Sequence, residues 1–232
     1  MGISENLIAD VKNIFSEKWT TTEGRVVPET ENIALGNAGI ELEGTVLYAD
    51  LEDSTGLVMS YKPFFAAEIY KAYLATVCKV IRANSGEITA FDGDRVMAVF
   101  IGGSKNSNAA KTALQINYVT RNILNPKLKE QYPNSNYEIK QAVGVDTSKL
   151  LIARTGIRGA NDLVWVGRAA NYAAKLCSQR EDLYPSFITE DVYSSLSDET
   201  KNGGNPKQNM WQKTIWPEKG IVLYKSSWHW QP

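Results

Sequence analysis

Asp50 closes the apolar run Thr45–Asp50 (TVLYAD), and Asp92 and Asp94 flank Gly93 in a tight-turn signature. If the run is a strand and the turn a hairpin of the same sheet, strand end and hairpin tip become neighbours. Carboxylates at such a place suit Mg2+ or Mn2+, which take one or two of them and fill the remaining positions with phosphate oxygens and water. Two such ions about 3.5–4 Å apart can activate an attacking hydroxyl and stabilise a leaving pyrophosphate. The same residues also serve as a cap and a plain hairpin turn, and spacing alone leaves both readings open.

The segment after Asp50 favours phosphate chemistry. Leu51 to Leu57 is a short polar stretch (LEDSTGL) that enters a helical pattern, and the backbone amides of Asp53, Ser54, Thr55 and Gly56 can cradle a triphosphate. Other chemistries lack parts. The one histidine, His229, sits in the tail SSWHWQP and leaves no Ser-His-Asp or Cys-His set to build. Cys78 and Cys177 lie in helical patterns without metal-ligand spacing and read as reduced thiols.

The elements that must position these groups follow from periodicity. Leu7, Val11, Ile14 and Phe15 fall on one helical face near the start, and Thr20 to Gly36 reads as a polar linker. Phe65, Ile69, Tyr73, Val77 and Ile81 mark a helix from Pro63 to Asn84, with Gly86 closing it. Glu87–Phe91 and Arg95–Phe100 read as a hairpin about Asp92-Gly93, Ser107–Leu124 as a helix, and Tyr137–Val145 as a strand. The order β-α-β-β-α-β predicts an α+β, ferredoxin-like sheet with both helices on one face. Beyond it, Lys149–Arg154, Leu163–Val166, Ser186–Thr189 and Ile221–Lys225 read as strands and Arg168–Gln179 as a helix, giving a C-terminal αβ extension. The division expected is an N-terminal helix and linker over 1–42 and one catalytic domain over 43–232.

Composition bounds the partners. The 232 residues carry 25 basic and 26 acidic side chains, net −1, with 43% hydrophobic residues. This is enough for a sizeable core and gives no global attraction to nucleic acid or to anionic membranes. No apolar run is long enough to span a bilayer, and the start is not a secretory signal, so a cytoplasmic protein is expected.

The motifs resemble those of class III nucleotidyl cyclases. YADLEDSTGL (48–57) is similar to the family's first-metal motif, F-x-D-[IL]-x-x-[FS]-T, and FDGDRVMAVF (91–100) to its second-metal motif. VWVGRAANYAAKL (164–176) is similar to its G-x-x-x-N-x-A-x-[RK] helix. The resemblance implies that Asp50, Asp94 and the Leu51 carbonyl hold two Mn2+ or Mg2+ ions. It implies that Asn171 orients the ribose, and that Lys175, where the family usually has an arginine, stabilises charge on the reacting phosphate. Lys219 corresponds to a phosphate-contacting lysine. Asn171 and Lys175 share a helix face by spacing, which a solvated face would also explain. The resemblance further implies a head-to-tail homodimer in which each of two shared sites takes its aspartates from one copy and Asn171 and Lys175 from the other.

Adenylate cyclases of the family read the purine at positions that here hold Ala90 and Val164, neither able to hydrogen-bond a base edge through its side chain. The sequence instead resembles the pyrimidine cyclases of the bacterial Pycsar anti-phage systems, which have an aromatic two residues before the first metal aspartate and a GDR run at the second. Tyr48 and Arg95 fit. Tyr48 shares the strand face of Asp50 and reads either as a base contact or as a tyrosine packed under the helix. Arg95, one residue past Asp94, is expected to point away from that aspartate's face and so also fits a structural ion pair. The resemblance implies UTP or CTP as substrate, and a cyclic nucleotide product that acts through a separate responsive effector during phage infection.

Overall fold

A computed structural model describes residues 2–179, 181 and 183–232. The first half contains α1 (Ile3–Ser16), β1 (Thr20–Glu23), β2 (Ala38–Leu51), α2 (Ser54–Ser60), α3 (Pro63–Ala83), β3 (Glu87–Asp92), β4 (Arg95–Phe100) and α4 (Lys105–Val119). A π-helical turn, Thr120–Leu124, leads into α5 (Asn125–Gln131). Then come β5 (Gln141–Ile157), β6 (Ala160–Val166), α6 (Arg168–Leu176), β7 (Ser186–Thr189), α7 (Glu190–Ser194) and α8 (Asp198–Lys201). A short pair, β8 (Asn202–Gly203) and β9 (Gln208–Asn209), precedes β10 (Gln212–Trp216) and β11 (Ile221–Ser226). The chain divides into two compact units, residues 1–43 with 149–167 and residues 44–148 with 168–232.

The larger unit holds the expected βαββαβ core. Its strands run β5-β2-β4-β3, and β7, β11 and β10 extend the sheet beyond β5. Alternation along the strands decides which side chains meet the helices. Leu47, Ala49 and Leu51 of β2, Val96, Ala98 and Phe100 of β4, and Val143 and Val145 of β5 pack with Ile69, Tyr73 and Val77 of α3 and Ala109, Ala113 and Ile116 of α4. Tyr48 and Asp50 therefore face the other side of the sheet. On β5, Gly144 is on that other side too, and a Cβ there would lie 2.2 Å from the Ala173 carbonyl oxygen and 2.5 Å from the Cys177 nitrogen. Only a glycine lets α6 approach the sheet this closely.

In the smaller unit α1 buries none of its residues, and its stripe, Leu7, Val11, Ile14 and Phe15, is exposed. Asn37 ties down the end of α1: its Nδ2 donates to the carbonyls of Ile14 (2.8 Å) and Glu17 (2.7 Å).

Two expectations need correction. The linker from Thr20 to Gly36 contains β1, paired in parallel with β2 from Thr20↔Ala38 to Glu23↔Glu41, because its threonines suit a strand edge. The strands expected separately at Tyr137–Val145 and Lys149–Arg154 are one strand, β5. Its polar middle does not break it because the side chains are satisfied by neighbours: Thr147 Oγ1 donates to the Gly44 carbonyl (3.2 Å), and Ser148 Oγ accepts from the Ala169 N–H (3.0 Å). No helix among the described residues is long and apolar enough to cross a membrane.

Candidate active site

The end of β2 and the β3–β4 hairpin do meet. β2 and β4 pair antiparallel with Tyr48 opposite Met97 and Ala49 opposite Val96. The same register sets Arg95 across from Asp50, and the guanidinium Nη2 donates to Asp50 Oδ2 at 3.2 Å. The expectation for Arg95 concerned the face of Asp94, with a structural ion pair as the alternative, and the ion pair is formed with Asp50. Arg95 shares the face of Asp50 because directly opposed residues of an antiparallel pair point the same way. Asp50 is 6% exposed, so this is a largely buried charge with a specific partner. Burial opposes the charge on Arg95, but its hydrogen bond and charge interaction with Asp50 outweigh it and hold the guanidinium above its ordinary range.

Asp94 stands at the head of β4. Burial, the largest influence, raises its carboxyl above the usual carboxylate range against hydrogen bonds from its own backbone and from Ser54, and the charge of Asp50 raises it further. Its Oδ2 is buried without a hydrogen-bond partner. A buried, unpartnered carboxylate oxygen beside a second carboxylate is costly unless a cation joins them, so this pair fits divalent ions. Among the described residues no group of three or more His, Cys, Asp or Glu side chains forms a metal cage. A two-carboxylate site completed by carbonyl, water and phosphate oxygens matches the chemistry of Mg2+ or Mn2+. Leu51 can contribute only its carbonyl, since its side chain is in the core.

The loop after Asp50 differs in part from a continuous amide cradle. Asp53 sits at φ 53° in the left-handed region and caps α2, its Oδ1 accepting from the Gly56 N–H at 3.1 Å. The Glu52 N–H goes to the Lys140 carbonyl (2.9 Å) and that of Leu57 to the Asp53 carbonyl (3.0 Å). Gly56 is thus committed to the cap, because the short Asp side chain satisfies a helix-start amide that a phosphate would otherwise take. Ser54 reaches Asp94, and Thr55 is exposed.

Tyr48 is half-buried on the sheet face opposite α3 and α4, so it does not pack beneath those helices. Burial raises its hydroxyl pKa, the Cys177 and Asp92 charges add to the rise, and Arg95 opposes it. Tyr48 is therefore a neutral donor and acceptor beside Arg95.

A second group forms on α6. Ala169, Ala170, Ala173 and Leu176 are buried, while Asn171 and Lys175 occupy the exposed stripe. Lys219 is lodged beside this helix, its Nζ 5.1 Å from the Tyr172 ring and 5.6 Å from that of Trp216. Within one chain the stripe turns away from the sheet that carries Asp50.

Sequence reasoning missed the anchor of α6. Arg168 donates to Asp146 Oδ2 (3.0 Å) and Oδ1 (3.3 Å) and to the Thr147 carbonyl (2.8 Å), and also pairs with Asp191. Thr189 adds a hydrogen bond to the fully buried Asp146. The available signal was an arginine in a helix first turn, where the macrodipole disfavours a cation unless something specific holds it.

No protein-family model matches the chain. Full-length relatives do. A uridylate cyclase of Xanthomonas perforans is 46% identical over 233 residues, covering 100% of this chain and 99% of that protein. A uridylate cyclase of Burkholderia cepacia is 44% identical over 232 residues, covering 99% of each. The chain belongs to the pyrimidine cyclases, within the class III nucleotidyl cyclases. The cyclase is accordingly a phosphorus–oxygen lyase. Its fold matches the crystal structure of a guanylyl cyclase with a TM-score of 0.68 at 16% identity, over 84% of this chain and 96% of that one. A bacterial light-regulated adenylyl cyclase superposes with a TM-score of 0.67 at 20% identity, over 81% and 52%.

Proposed function

We propose that the cyclase converts UTP to 3′,5′-cyclic UMP and pyrophosphate, in a homodimer with two shared active sites. The observation that carries this reading is the pairing of buried Asp50 with half-buried Asp94, whose Oδ2 is buried and orphaned, with Tyr48 on the sheet face of Asp50. The name of the full-length relatives supports uracil as the base.

Asp50, Asp94 and the Leu51 carbonyl hold two Mn2+ or Mg2+ ions. Bound there, the ions supply positive charge that acidifies the ribose 3′-hydroxyl and offsets charge on the leaving pyrophosphate. The 3′-oxygen attacks the α-phosphorus in line, the bond from the α-phosphorus to the bridging oxygen breaks to release pyrophosphate, and the hydroxyl proton passes to solvent water. From the second copy, Asn171 orients the ribose, and Lys175 meets the charge on the α-phosphate as a point donor. Lys219 and the amides of Asp53, Ser54 and Thr55 bind the phosphates. Tyr48 and Arg95 read the base, Ala90 and Val164 being unable to do so. The cyclic nucleotide then acts as a second messenger on a separate effector, in the anti-phage role the family resemblance implies.

Incubation with UTP, CTP, ATP and GTP separately, each with Mn2+, tests the substrate. Cyclic UMP from UTP, far in excess of other products, is expected. Product from CTP alone would overturn the choice of uracil, and product from ATP or GTP alone the whole pyrimidine reading.

A further inference from the structure

A cavity of about 400 Å³ opens in the larger unit between the end of α4, the π-helical turn Thr120–Leu124, the start of β5 and the segment after α6. The proposed site elements Asp50, Asp94, Tyr48, Asn171 and Lys175 are not among its walls. Its volume lies within the range of small-molecule sites.

Two side chains of its walls are polar, buried and unpartnered. Gln141 opens β5 and is 4% exposed, yet neither its Nε2 nor its Oε1 has a hydrogen-bond partner. Alternation places it on the helix side of the sheet with Val143 and Val145, towards α4 and the π-helical turn. Thr120, the first residue of that turn, is 3% exposed, and its Oγ1 is also unpartnered. Buried polar groups normally find partners, and each one that does not costs stability. Widened π-turns of this kind recur at functional sites. Asn117, one turn earlier, shows the contrast: its Nδ2 is spent on the Ser227 and Trp228 carbonyls.

We infer that this cavity is a second ligand site, which takes a neutral nucleoside by the edge of its base. A carboxamide offers one donor and one acceptor side by side, and a base edge with an adjacent acceptor and donor matches both at once. Rotation of the Gln141 amide towards the cavity makes two parallel hydrogen bonds, and the Thr120 hydroxyl supplies a third. The rim carries Glu52, Glu138 and Glu181 against Lys140 and Arg121. Among the described residues the rim has no surplus of positive charge for a triphosphate, which favours the nucleoside over the nucleotide. Glu52 also borders a neighbouring cavity with Asp53 and Gly56, two residues on from Asp50, so the site lies near the catalytic end of β2 without sharing its carboxylates. The inference does not depend on which triphosphate the enzyme cyclises.

Calorimetric titration of the metal-free protein in EDTA tests it, with uridine, cytidine, adenosine and guanosine as probes and methyl riboside as the blank. One nucleoside per chain should bind saturably, and the four arms identify the base. Gln141→Leu should weaken that binding by about tenfold or more. It should leave the melting temperature unchanged or raise it, since the amide has no partner to lose. Tyr48→Ala should bind the nucleoside like the native protein. Thr120→Val, which removes the hydroxyl at constant shape, should weaken binding even if Gln141→Leu fails to fold. Absence of saturable binding by any nucleoside, equal binding of the riboside blank, native binding by the folded Gln141 and Thr120 variants, or loss of binding in Tyr48→Ala would each overturn the site.

Discussion

Arg95 Nη2 donates to Asp50 Oδ2 across 3.2 Å, joining β4 to β2 at the carboxylate where a divalent ion is proposed to bind. The Asp50 side chain is 8% exposed and that of Arg95 28%, so solvent screens the pair only partly. An ion that takes Asp50 competes with a guanidinium already in place. Arg95→Gln should therefore bind Mn2+ more tightly than the native protein, by roughly three- to tenfold, while losing about 1–2 kcal/mol of metal-free stability. Mn2+ titration by electron paramagnetic resonance and a chemical denaturation curve measure the two effects. Unchanged Mn2+ affinity would remove Arg95 from any competition for Asp50.

Asp50→Asn and Asp94→Asn should each abolish cyclic nucleotide formation. The loss should exceed the about 10–100-fold typical of removing an outer partner of a metal site. Asp94→Asn should keep or gain metal-free stability, because the carboxylate it replaces is half-buried with one buried, orphaned oxygen. Turnover assays and thermal melts separate the effects, and near-native turnover in either variant would refute the two-carboxylate assignment.

The pH dependence follows from Asp94. Burial raises its carboxyl above the ordinary value, so the folded metal-free protein holds the proton more tightly than the unfolded chain does. The linked stability is fully present below the ordinary carboxylate pKa and is lost as pH rises through the raised value. A bound cation requires the deprotonated form, so Mn2+ binding should release protons in that window and weaken as pH falls through it. Calorimetry in buffers of different ionisation enthalpy counts the protons, and Asp94→Asn should abolish the release.

The proposed shared site makes a complementation test available. Asp50→Ala and Asn171→Ala chains should each be inactive alone. Mixed in equal amounts and allowed to exchange, they should recover about a quarter of native activity, because half the dimers then hold one intact site of two. No recovery after exchange is shown would place all the working residues within one chain.

Gly144→Val should be destabilising by about 1–3 kcal/mol or more, since the new side chain meets the Ala173 carbonyl, which is backbone and cannot swing aside. The displaced helix carries Asn171 and Lys175, so turnover should fall further than denaturation alone explains. A melt and a turnover assay at a temperature where the variant is folded distinguish the two losses.

Much of this protein was legible locally. The alternation of Thr45–Asp50, the stripe of Phe65, Ile69, Tyr73, Val77 and Ile81, and the Asp92-Gly93 turn depend on neighbours in the chain; α3 and the β3–β4 hairpin appear where these patterns put them, and β2 contains its expected run but begins earlier, at Ala38. The run from Asp50 to Asp94 and the stripe Asn171/Lys175 were likewise visible as residue types at set spacings. What stayed hidden depends on partners distant in sequence. Register across β2 and β4, set by pairing, turned Arg95 towards Asp50. The continuity of β5 rests on Thr147 reaching Gly44 and Ser148 reaching Ala169, bonds that no local pattern reports. The anchor of Arg168 on Asp146, the closeness that demands Gly144, and the unpartnered amide of Gln141 likewise exist only once the sheet is assembled. The sequence by itself determined which side chains were available and on which face of each element they stand, because period and chirality are properties of the local chain. Tertiary structure alone decided which of them are buried against a charge, a backbone or a cavity, because burial is a relation between segments that are far apart in the chain.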